Sequence, residues 1–583
     1  MQHSRRRILG TIAAVAVAGS SACSRYQPVD LLLMDGNVYT FTWGDPATDG
    51  TPAPDAPYSE DGWHADATAV AIDDGTIVFV GSDDDAARYR GNRTRVVDLD
   101  GATVIPGLVD SHVHIEQLGA ALERVSLIDV TSEEEAVRRV EAAAVDVPTG
   151  QWIIGWGWDE GLWANRYPDM QLLSDRVPDH PVLLESLHGF AAWGNRLAFD
   201  RAGITRETPS PDGGDIRKDG DGNPTGILLN NATALLDAAI PPPSQEQLER
   251  RVLAGLSAMA RDGYVAVHQA GAGTDLMAAF EHLEATDRLP VRVYAMVDAR
   301  EAAVSRAWLE RGPEPDAEGM LITRSVKAFY DGALGSRGAR MLDDYSDRPG
   351  HRGVAGNEYG FDEQLVADLM QAGFQVCIHA IGDAGNRESL DFLERVFTEY
   401  PATRGYRHRI EHAQVLHPED IPRFAAMDVI ASMEPPHAVE DKTWAEDRVG
   451  PERIRYAYAW RSLREAGARL TFNSDLPGSD HDIFYGLHAA ITRRDKRQQP
   501  TGGWYPEQTV TPEEAIRGYT GWAAYGAFLE DVTGVLAPGR WADITVMDID
   551  PLEVGRTEPG RLLTGTILLT IVDGEIVHRS TRP

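Results

Sequence analysis

The sequence predicts an α/β protein: a TIM-type (β/α)8 barrel with a small composite β-sandwich domain drawn from both termini and an insertion after barrel strand 1. Three observations predict it. Short β-branched runs alternate with helix-length stretches through the middle of the chain, the pattern of a parallel barrel with helical crossovers. β-type runs bracket that region at both ends. The first interval between barrel strands, from about 113 to 262, is far too long for one helix.

Residues 1–22 combine Arg5, Arg6 and Arg7 with an apolar stretch from Ile8 to Ala18 and small residues before Cys23, as an export signal does. Ser4 to Leu9 fits a twin-arginine signal and Ser20-Ser21-Ala22-Cys23 fits a lipoprotein processing box, so an exported, periplasmic or cell-envelope lipoprotein anchored at Cys23 is expected. The runs 29–34, 69–72 and 76–80 are β-type and separated by turn residues, and 541–547 and 566–577 look the same. Residues 28–102 and 530–583 are therefore assigned to one composite β domain, and 103–529 to the barrel. Its strands are expected at 103–109, 263–268, 291–296, 325–330, 374–379, 408–412, 428–433 and 468–473. The insertion is placed at about 125–250, where Trp152 to Trp163 and the Gly/Pro/Asp-rich run 208–226 fall.

Composition narrows the function. A chain of 583 residues with 25% charged and 43% hydrophobic residues is an ordinary globular one. Its 55 Lys and Arg against 90 Asp and Glu give a net charge of -35, which repels phosphates and anionic lipids. Nucleic acid is excluded as a partner, and a membrane is expected only through the lipid anchor. The two cysteines, Cys23 and Cys377, allow at most one bridge, so disulfides do not hold this fold.

Barrel chemistry sits at the C-terminal ends of strands. The first strand runs into Ser111-His112-Val113-His114, and residues two apart on an extended chain point the same way, so both imidazoles can bind one ion. With 17 histidines in 583 residues chance alone supplies about half such a pair, so the pair by itself decides nothing. The other strand ends decide it: Lys327 and Asp331 at the fourth, His379 at the fifth, His412 at the sixth and Asp475 at the eighth. One buried histidine is ordinary core; this set in this order has no comparably simple packing explanation. His268, Cys377 and His408 lie within strands and read as satisfied interior groups. Trp152, Trp156, Trp158 and Trp163 read mainly as packing, with Trp158 the ring that would line the pocket.

Longer motifs accompany these residues: PGLVDSHVH at 106–114, GWGWDEGLW at 155–163, HGFAAWGNRLA at 188–198, VKAFYDGALGSR at 326–337, IHAIGDAGNR at 378–387, RHRIEHAQ at 407–414 and GVLAPGRWADITVMD at 534–548. With them the sequence resembles the amidohydrolase superfamily, in its amidohydrolase family 3 branch with the N-substituted formamide deformylases, over nearly all of the mature chain. The resemblance implies that His112, His114 and Asp475 bind one divalent ion and His379 and His412 a second, with Lys327 as the bridge. A protonated lysine has no lone pair, so bridging requires a carbon dioxide-derived carbamate; a mononuclear site beside unmodified Lys327 stays open. Zinc is the expected metal, one or two ions per chain, and iron or manganese also fits the donors. Asp475 is the implied proton shuttle and His188 an implied donor to substrate. His437 and Asp331 are further candidates on the substrate side, and Glu434 departs from the usual Gln-Pro pattern.

The expected activity is metal-dependent hydrolysis of a non-peptide carbon-nitrogen bond in a small-molecule amide, linear or of N-substituted formamide type. A cyclic amide, lactone or carbamate hydrolase is the alternative, and a non-catalytic metal-containing lipoprotein a third reading. A homodimer is left open.

Overall fold

The computed structural model describes residues 27–580 apart from 160–162, 164–166, 188 and 315–318. The export signal, Cys23 and His188 lie outside the described residues. Eight parallel strands form one sheet: β1 Leu108–Val113, β2 Tyr264–Ala272, β3 Arg292–Asp298, β4 Leu321–Phe329, β5 Gln375–Ala380, β6 Arg409–His412, β7 Ile430–Met433 and β8 Leu470–Phe472. Each pairs with its neighbour in chain order. The seam between β8 and β1 is closed just past the strands, where Asp475 N–H donates to His112 O (3.0 Å) and His114 N–H to Leu476 O (3.0 Å).

The first expected strand, 103–109, is in fact two. Thr103–Pro106 pairs antiparallel with Ile544–Met547 in the terminal β region, and the barrel strand begins only at Leu108. Gly107 makes the crossing possible: a Cβ there would lie 2.4 Å from Val265 Cγ2 and 3.0 Å from the Asp543 carbonyl carbon. His112 consequently sits inside a barrel strand rather than beyond one.

Thr103–Pro106 joins Asn37–Val38, Ile544–Met547, Ile567–Val572 and Glu575–Arg579 in a five-stranded sheet. A second sheet is made by Leu31–Met34, Ala69–Asp73, Thr76–Gly81 and Arg95–Asp98. Leu31, Leu33, Val70 and Ile72 of one sheet and Val104, Ile544, Val546 and Ile571 of the other bury against each other, each contributing about 1.5–3 kcal/mol. Asp543 ties this layer to the barrel, accepting from Arg292 Nε at 2.8 Å with both side chains buried. Removing Asp543 leaves the buried Arg292 guanidinium only its longer contact with Asp573 at 3.5 Å, so Asp543→Ala is expected to cost about 3 kcal/mol, the low end for breaking a buried pair. An unchanged urea midpoint would show that the pair does not couple the layers.

The long first interval carries a six-stranded sheet from Val125–Ser126 to Pro224–Asn230. It leaves from helix Ile115–Glu123 and returns into helix Gln245–Arg261, so the insertion ends before 245, short of the 250 read from sequence. The two helices run antiparallel, with Gly119 against Arg251 and Gly255 against Ile115; a Cβ at Gly119 would meet Arg251 O at 2.0 Å. Helix Gln245–Arg261 feeds the N-terminal end of β2, so its own start, and with it the inserted sheet, lies on the C-terminal side of the barrel. Among the described residues no helix is long and apolar enough to cross a membrane.

Candidate metal centre

Alternate residues of a barrel strand face the interior, and the inward positions at the C-terminal end collect ionisable groups. β1 brings His112, with His114 just beyond; β4 brings Lys327, β5 His379, and β6 Arg409, Glu411 and His412. Glu434 follows β7 and Asp475 follows β8. Glu411 and His412 are adjacent, so on a regular strand they would point to opposite faces. The backbone turns at that point: His412 has φ 74° and Ala413 φ 42°, and Asp475 has φ 51°. Left-handed non-glycine residues are disfavoured, and here they aim two neighbouring side chains at one site.

Three overlapping groups of donors result: His112, His114 and Asp475; His412, His437 and Asp475; and His112, His412 and Glu434. His112 Nε2 and His114 Nε2 lie 3.4 and 3.2 Å from Asp475 Oδ1. Asp475 Oδ2 is turned the other way, 3.9 Å from His437 Nε2. On the other side the rings of His379 and His412 are 4.4 Å apart, and the ring of His412 is 5.0 Å from that of His112. Lys327 Nζ is buried 3.0 Å from His112 Nε2.

Protonation states suit a cation. Burial, with the Lys327 charge, pulls His112 down to about 4. Burial and neighbouring His412 hold His379 well below the ordinary imidazole range. Both are thus neutral at pH 7, the form that binds metals. Asp475 overcomes its burial through His112, His114, His412 and His437, which hold its carboxyl well below the usual range. Burial lowers the Lys327 ammonium. His412 moves oppositely: its burial is outweighed by the Glu434 charge, which raises it.

The support of His112 is built from β6. His112 Nδ1 donates to Glu411 Oε2 at 2.6 Å, which leaves Nε2 as the lone-pair donor toward the site. Glu411 is fully buried, and Arg409 donates to it from Nε (2.7 Å) and Nη2 (3.0 Å). Despite burial, Arg409 holds the Glu411 carboxyl well below its usual value. Arg409 also donates to His268 Nδ1 at 3.0 Å, so His268 is a satisfied interior group.

Of the residues singled out from sequence, His112, His114, Lys327, His379, His412, His437 and Asp475 converge here. Two substrate-side expectations are corrected. Trp158 is fully buried inside the insertion, its indole N–H satisfied by Leu184 O at 2.9 Å, so it has no surface left for a ligand. Asp331 is also fully buried and accepts backbone N–H groups of Arg340, Ile381 and Gly382 at 2.8, 2.9 and 2.9 Å. It organises the loops after β4 and β5 and stands 3.8 Å from His379 Nε2. Glu411, Arg409 and Glu434 were missed as site residues. The alternation Arg409, Glu411 in RHRIEH was the available signal for the first two.

The amidohydrolase family model matches residues 95–578. The YtcJ protein of Bacillus subtilis (strain 168) is 31% identical over 520 residues, covering 88% of this chain and 96% of that one. The N-substituted formamide deformylase of Arthrobacter pascens is 26% identical over 539 residues, covering 88% and 95%. Among solved structures, an uncharacterized metal-dependent hydrolase from Pyrococcus furiosus superposes with a TM-score of 0.69 at 26% identity, covering 90% of this chain and 99% of that one. By sequence match, fold and the arrangement of its strand-end donors, the chain belongs to the amidohydrolase family.

Proposed function

We propose that this protein hydrolyses the carbon-nitrogen bond of a small linear amide, of the N-substituted formamide type, at a divalent metal centre. The observation that carries the reading is a pair of buried ring nitrogens that make no hydrogen bond among the described residues, His379 Nε2 and His412 Nδ1. Beside them stand the neutral imidazole of His112, the ring of His114 and the ionised Asp475. Leaving such atoms unpaired costs about 1–3 kcal/mol each, and a cation removes the cost, so the residues fit a metal. His112, His114, Asp475, His379 and His412 would hold it, zinc being the metal we propose. A bound divalent ion would acidify water and polarise a substrate carbonyl.

The protein groups do the rest. Asp475 Oδ2, turned away from His112 and His114, accepts the proton of the attacking water and delivers it to the amide nitrogen as the carbon-nitrogen bond breaks. The products are a carboxylic acid, formate for a formamide, and an amine. The lowered Lys327 ammonium supports a neutral amine there, the form that takes up carbon dioxide as a carbamate. The likeness to the formamide deformylase of Arthrobacter pascens supports the substrate class.

Chelation is expected to abolish hydrolysis of N-substituted formamides, and zinc with bicarbonate to restore it with two ions per chain. One ion, with activity indifferent to bicarbonate, would replace the carbamate by a mononuclear site. Turnover of lactones or cyclic amides with none of formamides would overturn the substrate class.

A further inference from the structure

Among the described residues, Glu434 is a carboxylate beside this site that the reading above leaves without work. It follows β7 and is only 4% exposed. Its Oε1 is 3.2 Å from His412 Nδ1, and its Oε2 is 3.7 Å from His437 Nδ1. Among the described residues no Lys or Arg forms an ion pair with it. Its ion-pair partners among the described residues are the imidazoles of His412 and His437, and a carboxylate buried this deeply costs several kcal/mol unless a cation reaches it. The imidazole beside it does not relieve the cost by hydrogen bonding, because both Glu434 Oε1 and His412 Nδ1 lack a partner of acceptable geometry.

The spacing explains the pair. Two ligands each about 2.0–2.1 Å from one tetrahedral ion stand about 3.3 Å apart. His114 Nε2 and Asp475 Oδ1 are 3.2 Å apart, His112 Nε2 and Asp475 Oδ1 3.4 Å, and His412 Nδ1 and Glu434 Oε1 3.2 Å. Donor atoms of His112, His412 and Glu434 also fall within 4.8 Å of one another, as those of His112, His114 and Asp475 do. The third pair thus has the dimensions of the first two and, like a ligand pair, no hydrogen bond between its members.

On the reading that this centre holds divalent ions, we propose that Glu434 is itself a metal ligand, paired with His412. It supplies a second protein carboxylate across the site from His114. The centre then does not depend on Lys327 alone for anionic charge on that side. Glutamine at this position would keep the shape and still accept a hydrogen bond from an imidazole N–H, but would bring no charge.

Cobalt(II) titration of the metal-free full chain, read by equilibrium dialysis and by the visible spectrum of the bound ion, tests this with Glu434→Gln. The variant is expected to lose affinity for one ion by roughly a hundredfold or more, at or beyond the upper end of the 10–100-fold that a residue merely supporting a ligand costs, and to change the spectrum. Wild-type stoichiometry, affinity and spectrum in Glu434→Gln overturn the proposal and leave the metal centre standing. Failure of the wild type to bind cobalt or zinc at all overturns the metal reading itself. If Glu434→Gln does not fold, anomalous diffraction from the zinc-loaded wild type decides. An ion within about 2.2 Å of a Glu434 oxygen supports ligation, and ions only beyond about 3 Å from it overturn it.

Discussion

Asp475→Asn is expected to lower kcat/KM for formamide hydrolysis about a thousandfold or more, a loss of roughly 4 kcal/mol of transition-state stabilisation. The two carboxylate oxygens are divided between tasks: Oδ1 faces His112 and His114 at 3.4 and 3.2 Å, and Oδ2 faces His437 at 3.9 Å. An amide can imitate the first contact but cannot take a proton at the second position. Metal content measured on the same preparation separates a lost ligand from a lost base. The pH profile carries the sign. The carboxyl is held well below its usual range, so the base form is present at neutral pH, and its protonation adds an acid limb to the profile as pH drops through that lowered value. The variant should lack this acid limb, and wild-type-like turnover in a metal-verified Asp475→Asn protein removes Asp475 from proton transfer.

Glu411→Gln is expected to cost about 3–5 kcal/mol of stability, because it leaves the buried Arg409 guanidinium without its partner. It should also weaken metal binding roughly 10–100-fold, since His112 Nδ1 loses the carboxylate that fixes its tautomer. The folded-state carboxyl lies below its unfolded value of 4.5. The stability it contributes is therefore fully present above about pH 4.5 and lost as pH falls through the folded value. Urea midpoints compared at pH 7 and at acid pH check both parts: the difference between wild type and variant should shrink on acidification. An equal midpoint at pH 7 would mean that Arg409 finds compensation elsewhere, from Ser111 O and Ser432 Oγ, to which it already donates at 2.6 and 3.0 Å.

Seven strand-end residues were legible because a barrel turns linear order into geometry: whatever stands at the C-terminal end of each parallel strand must meet at one mouth. The His-x-His pair on β1 and the lone His379 on β5 needed no more than that rule. Trp158 went wrong for the opposite reason. It lies in an insertion whose sheet has its own core, and a tryptophan on a strand looks the same in sequence whether it faces that core or a pocket. Asp331 followed a strand end by position, yet its carboxylate is consumed by three backbone N–H groups, which no spacing reveals.

Sequence order and strand periodicity were therefore enough for the architecture and for most of the donors, and the motifs around them carried the resemblance to the family. Tertiary structure alone decided where the first strand divides at Gly107, which carboxylates are spent on backbone or arginine, and which remain free. That difference is physical. The alternation of a strand is a local property written in the period of the chain, whereas the state of a buried charge depends on what distant segments place within 4 Å of it. Glu411 and Glu434 are both buried glutamates near β6 and β7, and what separates their roles is the Arg409 guanidinium beside one and, among the described residues, only the imidazoles of His412 and His437 beside the other.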